Sequence, residues 1–345
     1  MNALYEKSMD KLELNAVLAL LAEQACSSEA KQRCKAVRPQ TDVDDITRLQ
    51  AETSAACELI TKKGSPGLSG IEDVGESLAR ADRGGTLSAA ELLRIARVLR
   101  CARTVKNYAE TDSVSTVLDV LFWELMANKY LEEKIDTAII SEDEIADAAS
   151  PELSDIRRHI RIQSSKIKES LQKIISSPTY AKYLQEPIIT IRSDRFVVPV
   201  KSEHKAAVPG LVHDVSSSGS TFFIEPMQAV NANNALRELF IAERKEIERV
   251  LAELSAEAAA YREHIEHNYE ILTSLDCIFA RAKLSFVMKA VRPEIRSDGK
   301  DNILASMMIA ASGKVFEVCI FFADRHIFGI KLCILFCFIM SPSEA

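Results

Sequence analysis

The stretch Asn231–Met288, NANNALRELFIAERKEIERVLAELSAEAAAYREHIEHNYEILTSLDCIFARAKLSFVM, decides the fold. Its apolar positions Ile247, Leu251, Leu254, Ala258, Tyr261, Ile265, Leu272, Leu275, Phe279, Ala282 and Phe286 advance by steps of three, four or seven. That spacing draws one narrow seam along a helix. Asn268 is the polar residue in the seam. Neither proline nor glycine interrupts the run, and strong helix formers fill most other positions. An unbroken or gently bent helix of this length would span roughly 85 Å. A single apolar seam on so long a rod implies a partner helix.

Working back from the rod, Leu153, Ile156, Ile160, Ile167, Leu171 and Ile174 form a second seam. Ser150-Pro151 opens this helix as a cap followed by a first-turn proline, and Ser177-Pro178 ends it. It is the natural partner of the rod. Its Arg157, Arg158, His159, Arg161, Lys166, Lys168 and Lys173 face Glu238, Glu243, Glu246 and Glu248 of the rod, which predicts ion pairs between the helices.

Between the two helices the texture turns to strands. Ile188–Ile191 and Phe196–Val200 flank Ser193-Asp194, which reads as a tight hairpin. A second pair, Val208–Val215 and Thr221–Ile224, is joined by the serine-glycine turn 216–220. Arg192, Arg195, Lys201, His204 and Lys205 concentrate positive charge on this small sheet. Hydroxyls and backbone amides of the turn are of the kind that meet phosphate oxygens. His213 and Asp214 are adjacent, so strand alternation separates them, and nothing marks a nucleophile elbow.

The preceding residues read as helices. A first helix starts near Leu12 and is extended by Ser27–Lys35 up to Pro39. Asp42 or Asp44 caps the next. A short helix around Val74–Ala81 ends at Gly84-Gly85, and Ser88 with Glu91 fits a capping box. One helix is expected between Ser113 and Ile135, with Trp123 packed, and the acidic stretch Ser141–Ala149 reads as a short helix. Arg94, Arg97, Arg100, Arg103 and Lys106 recur at three-residue steps, which reads as a solvated helical face or, alternatively, a phosphate-facing strip.

The 345 residues carry a net charge of -7, 47% hydrophobic residues and 6% aromatics, which suits a mainly α protein without a wholesale basic surface. The eight cysteines contain no Cys-x-x-Cys pair and no secretory signal opens the chain, so the reading is of a cytoplasmic protein with reduced thiols. Cys333 and Cys337 lack companion ligands, and His264 and His267 lack the His-Glu-x-x-His order, so no metal site is expected. No catalytic residue is assigned.

Four segments, KGSPGLSGIEDV (63–74), GGTLSAAELLRIARVLR (84–100), SDRFVVPVKSEHKAAVPGLVHDVSSSGSTFFIEPMQAVNANNALREL (193–239) and VRPEI (291–295), carry a resemblance. Over residues 1–299 the chain resembles the N-terminal half of the bacterial MutS paralogues that lack a mismatch-recognition domain and typically end in an Smr-type nuclease domain. The resemblance implies a MutS-like helical core with a long antiparallel coiled-coil lever or clamp arm carrying a small β-sheet. Four parts are expected: residues 1–150 as the first part of the core, 151–230 as the ascending clamp helix and sheet, 231–299 as the lever returning to the core, and 300–345 as an atypical tail. It implies binding of branched or structured DNA, of stalled ribosomes, or of both, with ATP and magnesium as cofactors and a homodimer for the full-length family. It places Arg192, Arg195, Lys201, Lys205, His213 and Ser218 as the candidate nucleic-acid contacts. A structural coiled-coil scaffold without nucleic-acid affinity is the alternative. The chain contains no Gly-x-x-x-x-Gly-Lys-Ser/Thr, the phosphate loop that the family carries after its Arg-His-Pro motif, and no Smr domain. Taken alone it is expected to have neither catalytic site. The apolar, Phe- and Cys-rich run 303–340 does not resemble the family. It reads first as a frameshift or truncation product, then as a membrane helix or a buried strand pair.

Overall fold

The computed structural model describes residues 13–40, 42–111, 115–290, 292–297, 303–311 and 314–321. Leu12, Ser113, Val291, Cys333, Cys337 and the tail from 322 onward lie outside the described residues. The described chain is mainly α-helical with small antiparallel sheets.

The N-terminal helices α1 (Leu14–Gln24) and α2 (Ser28–Ala36) are separate rather than one extended helix. Ser27 ends the first run by capping the second, its hydroxyl accepting from the Ala30 amide at 3.2 Å. Asp42 caps α3 (Val43–Lys63), accepting from the amides of Asp44 and Asp45. Helices α4 (Gly75–Asp82) and α5 (Ala89–Glu110) follow. The single helix expected over 113–135 is two, α6 (Asp119–Glu124) and α7 (Lys129–Ala138). Asn128 opens the second by accepting from the Leu131 amide at 3.0 Å. Trp123 is 72% exposed, so its expected packing role does not hold.

The acidic stretch after α7 is not an α-helix. It forms a minimal hairpin, β1 (Ile139–Ser141) with β2 (Glu144–Ile145), and a 3-10 turn at Asp147–Ala149. Ser150 then caps α8 (Pro151–Ile175) through the Leu153 amide at 3.0 Å, as its sequence predicts. A short α9 (Pro178–Ala181) precedes a four-stranded antiparallel sheet: β3 (Thr190–Arg192), β4 (Arg195–Lys201), β5 (Gly210–Val215) and β6 (Thr221–Pro226), in the order β3-β4-β6-β5. Ser193 and Asp194 turn the first hairpin with φ of 50° and 60°, the positive values a two-residue type I′ turn needs.

The expected rod starts earlier, at Met227, and is broken once. Helix α10 (Met227–Ala260) and α11 (Arg262–Met288) meet at Tyr261, whose amide reaches back three residues to the Ala258 carbonyl. That tightened turn displaces Tyr261 from helical geometry, with φ -106° and ψ 16°. Beyond α11, β7 (Glu294–Ser297), β8 (Ile303–Ala311) and β9 (Lys314–Phe321) form an antiparallel sheet in that order. Among the described residues no helix is long and apolar enough to cross a membrane.

The chain divides into two compact units: residues 1–84, 91–134 and 257–345, and residues 85–90 and 135–256. In the first, α11 is the central helix. Its Ala280 and Leu284 pack with Leu14, Leu18 and Leu21 of α1. Its buried Asp276 accepts from the amides of Cys26 and Ser27 and from the Ser27 hydroxyl, which satisfies donors at the start of α2. Arg281 reaches Glu52 at 2.9 Å and Thr53 at 3.0 Å on α3. Phe286, read as part of the seam, is exposed.

In the second unit α8 and α10 run antiparallel, since Ser150 meets Glu246 at 2.5 Å and Arg157 meets Glu243 at 2.7 Å. Ile167, Leu171, Ile174 and Ile175 of α8 close with Ala229 and Leu236 of α10 over Phe196, Val198, Val200 and Ile224 of the sheet. The predicted partnership of the two helices is therefore present, but the α10 side chains in this core, Ala229 and Leu236, lie ahead of the seam read at Ile247–Phe286. Arg157 is the α8 cation paired across the helices with Glu243, while Arg158 and His159 pair with Asp155, and Arg161 with Asp147.

Candidate nucleic-acid interface

The sheet of the second unit divides the six candidate residues into two groups. Arg192, Arg195 and His213 are tied to acidic side chains. Lys201, Lys205 and Ser218 lie toward the opposite end of β4 and the turn that faces it.

Arg195 leads into a buried polar centre. Glu225, 0% exposed, accepts from Arg195 at 2.8 Å, from His213, and from the Asn233 amide at 2.7 Å. Asn233 is also buried, and pairs with both backbone groups of Phe196 at 3.1 Å. The carboxylate is thus surrounded by donors, which is the condition for burying it. His213 reaches it because β5 bulges between Val212 and Asp214, placing an extra residue opposite β6. The strict alternation expected at His213-Asp214 does not apply there. Arg192 is half-exposed, lies 3.3 Å from Asp214 and stacks 4.4 Å from the Phe223 ring centre.

At the other end, backbone bonds gather three segments. The Lys201 amide donates to Tyr183, the Gln185 amide to Pro199, and the Ser202 amide to Ser220. Lys182 stands 4.9 Å over the Tyr183 ring, Lys205 stands 4.6 Å over Phe222, and the His204 ring lies 5.0 Å from Tyr183. Lys201 donates to the Lys182 carbonyl at 3.3 Å. Among the described residues, none of Lys182, Lys201 and Lys205 is ion-paired. Glu203 is the neighbouring carboxylate, and it is paired with His204 at 3.6 Å. The turn is pre-shaped: Gly219 takes a φ of 70°, the Ser216 hydroxyl accepts from the Thr221 amide, and Ser218 and Ser220 share a bond of 2.7 Å. This end combines two ammonium groups propped on aromatic faces, a third bonded to a backbone carbonyl, and clustered hydroxyls, an arrangement able to meet phosphate oxygens.

Sequence reasoning missed Lys182 and Tyr183, which join the group through the isolated bridge Leu184–Val200. It also missed Glu225 and Asn233. The adjacency of a lone glutamate to the strand-ending Pro226 is the signal available for Glu225, but its partners lie on other elements.

The basic row of α5 offers no comparable surface. Arg94 and Arg97 share Glu72, Arg100 and Arg103 share Glu132, and Lys106 donates to the Leu125 carbonyl. A polar cleft of about 460 Å³ lined by Asp82, Tyr261, Arg262, Glu263, His264 and Glu266 has its cation neutralised as well, since Arg262 pairs with Asp82 and Glu266. His267 pairs with Glu124 at 3.5 Å, and among the described residues no group of His, Cys, Asp and Glu is arranged to hold a metal ion.

Fold and surface together define a mainly α protein in which an antiparallel helix pair carries a small sheet with one cation-rich end. The chain is homologous to the bacterial Endonuclease MutS2 family. It is 44% identical over 299 residues to the Endonuclease MutS2 of Acetivibrio thermocellus, 44% over 298 residues to that of Ruminiclostridium cellulolyticum, and 44% over 302 residues to that of Clostridioides difficile. Each match covers 86% of this chain and 38% of the relative, so the chain spans little more than a third of those proteins. No family model matches the chain.

Proposed function

We propose that the sheet-bearing unit binds the sugar-phosphate backbone of structured nucleic acid, and that the contact is the Lys182, Lys201, Lys205 and Ser218 end of the sheet. The observation that carries this reading is the grouping of Lys182 on Tyr183, Lys205 on Phe222 and Lys201 between them, beside a serine-lined turn, in a chain of net charge -7. Arg192 is the auxiliary contact, because its half-exposed pair with Asp214 costs little to break. Arg195 and His213 act by holding the sheet through Glu225. Homology to proteins named as endonucleases supports a nucleic-acid role. Branched DNA and the RNA of a stalled ribosome present the same phosphate chemistry, so both fit the site. In the full-length family this unit would serve a protein with ATP and magnesium at its motor domain and a second copy as partner.

The test is a titration of the whole chain with a labelled DNA four-way junction, with linear duplex and with ribosomes, each at two salt concentrations. Binding that weakens steeply as salt rises is expected, since phosphate neutralisation releases counterions. Absent or salt-insensitive binding to all three would leave the structural scaffold as the reading.

A further inference from the structure

Several cations stand over aromatic rings, and most of them are engaged elsewhere or cover a buried ring. Lys63 over Tyr108 also donates to the Tyr108 carbonyl. Lys134 over Tyr130 pairs with Glu257, and Arg192 over Phe223 pairs with Asp214. Lys168 stands over Phe196, which is buried. Lys182 over Tyr183 and Lys205 over Phe222 differ in both respects. Both lysines are exposed and, among the described residues, have no acidic partner, and both rings are only half-buried. Consecutive residues of the 3-10 turn Ser202–Ala207 reach the two rings. His204 lies 5.0 Å from the Tyr183 ring, tilted by 57°, and Lys205 covers Phe222. Backbone bonds set both rings on the sheet: the Lys201 amide donates to the Tyr183 carbonyl, and Val200 pairs with Phe222. Tyr180 meets the Tyr183 ring edge-on at 6.5 Å, which fixes its orientation.

We infer that this end of the sheet takes unpaired nucleotides, with a base stacking on Tyr183 beside His204 in the place of the Lys182 ammonium. The inference rests on the phosphate-binding reading above and names its substrate class, single-stranded DNA or RNA. A cation over a solvent-exposed ring is a weaker contact than a stacked base, so the base displaces the ammonium. Lys182 is free to move, since the ring is its only partner among the described residues apart from backbone bonds. The displaced ammonium joins Lys201 and Lys205 on the phosphates that flank the base. Phe222 offers a second face by the same exchange with Lys205. Bases inside a duplex stack on one another and present only their edges and phosphates, so the ring faces gain nothing there. The lysines therefore supply affinity for any phosphate backbone, and the rings supply the preference for unpaired bases.

The test titrates the whole chain with labelled oligo-dT, oligo-rU and a DNA duplex of the same length, at two salt concentrations, by fluorescence anisotropy. Single strands should bind about tenfold more tightly than the duplex. Tyr183→Leu should remove that advantage and leave duplex affinity and its salt slope at the wild-type values. Tyr183→Phe should keep the advantage, because the ring and not the hydroxyl does the stacking. Irradiated oligo-dT carrying 5-bromouracil should crosslink wild type at Tyr183 or His204, mapped by mass spectrometry. An advantage for oligo-dT alone or oligo-rU alone supports the inference and assigns the strand as DNA or RNA. Salt-dependent binding with equal affinity for single strands and duplex, or crosslinks confined to other residues, would overturn the inference and leave the phosphate-binding reading standing. Absent binding to all three would overturn both. The wild-type crosslink map decides the matter even where Tyr183→Leu fails to fold.

Discussion

Asn268 stands fully buried in the seam of α11, and its side chain brackets one peptide segment. Its Oδ1 accepts from the Met126 amide and its Nδ2 donates to the Met126 carbonyl, both at 2.8 Å. The residue is visible in the sequence as the polar break in an apolar seam; its partner is not, because Met126 contributes only backbone groups. Asn268→Leu fills the volume but orphans both of them, so it should cost about 2–4 kcal/mol in a denaturant titration. Glu132 makes a comparable case for charge. It is buried, and Arg103, then Arg100, hold its carboxyl below the usual carboxylate range. A carboxyl lowered on folding adds stability that is complete above its unfolded value of about 4.3 and is lost as pH falls through its folded value. Denaturation midpoints should therefore drop between about pH 5 and pH 3, and Glu132→Gln should flatten that descent.

At the scale of elements, the two seams and both hairpins are legible in the sequence because burial imposes a period and turns impose a composition. Helix α8, with its Ser150-Pro151 start, and the Ser193-Asp194 turn follow from local chemistry alone. The break at Tyr261, the division into α6 and α7 and the bulge at His213 are not legible, because each depends on backbone bonding that composition does not specify. The candidate site is half legible for the same reason. A cluster of cations can be read, but which cations meet buried acids depends on strand register. Register assigns Arg195 and His213 to Glu225 and leaves Lys201 and Lys205 free of ion pairs. The two groups should respond differently to substitution. Arg195→Ala removes a partner of a buried carboxylate and should destabilise the protein by about 2–5 kcal/mol. Lys201→Ala and Lys205→Ala should each stay within about 0.5 kcal/mol of wild type. Thermal or denaturant unfolding of the three variants checks the contrast.

For the whole molecule, homology covers 86% of the chain and 38% of its relatives, which makes the second unit and its sheet the part where function can be argued from the residues present. An acidic chain gains little from nonspecific attraction to phosphate, so any affinity must come from a local field. The most direct measurement is the salt dependence of affinity for a DNA four-way junction, compared between wild type and the triple variant Lys182→Ala, Lys201→Ala, Lys205→Ala. The triple variant should stay folded with a logarithmic salt slope shallower by about 2–3, roughly one for each lysine that no longer neutralises a phosphate. A folded triple variant with the wild-type slope and affinity would contradict that expectation.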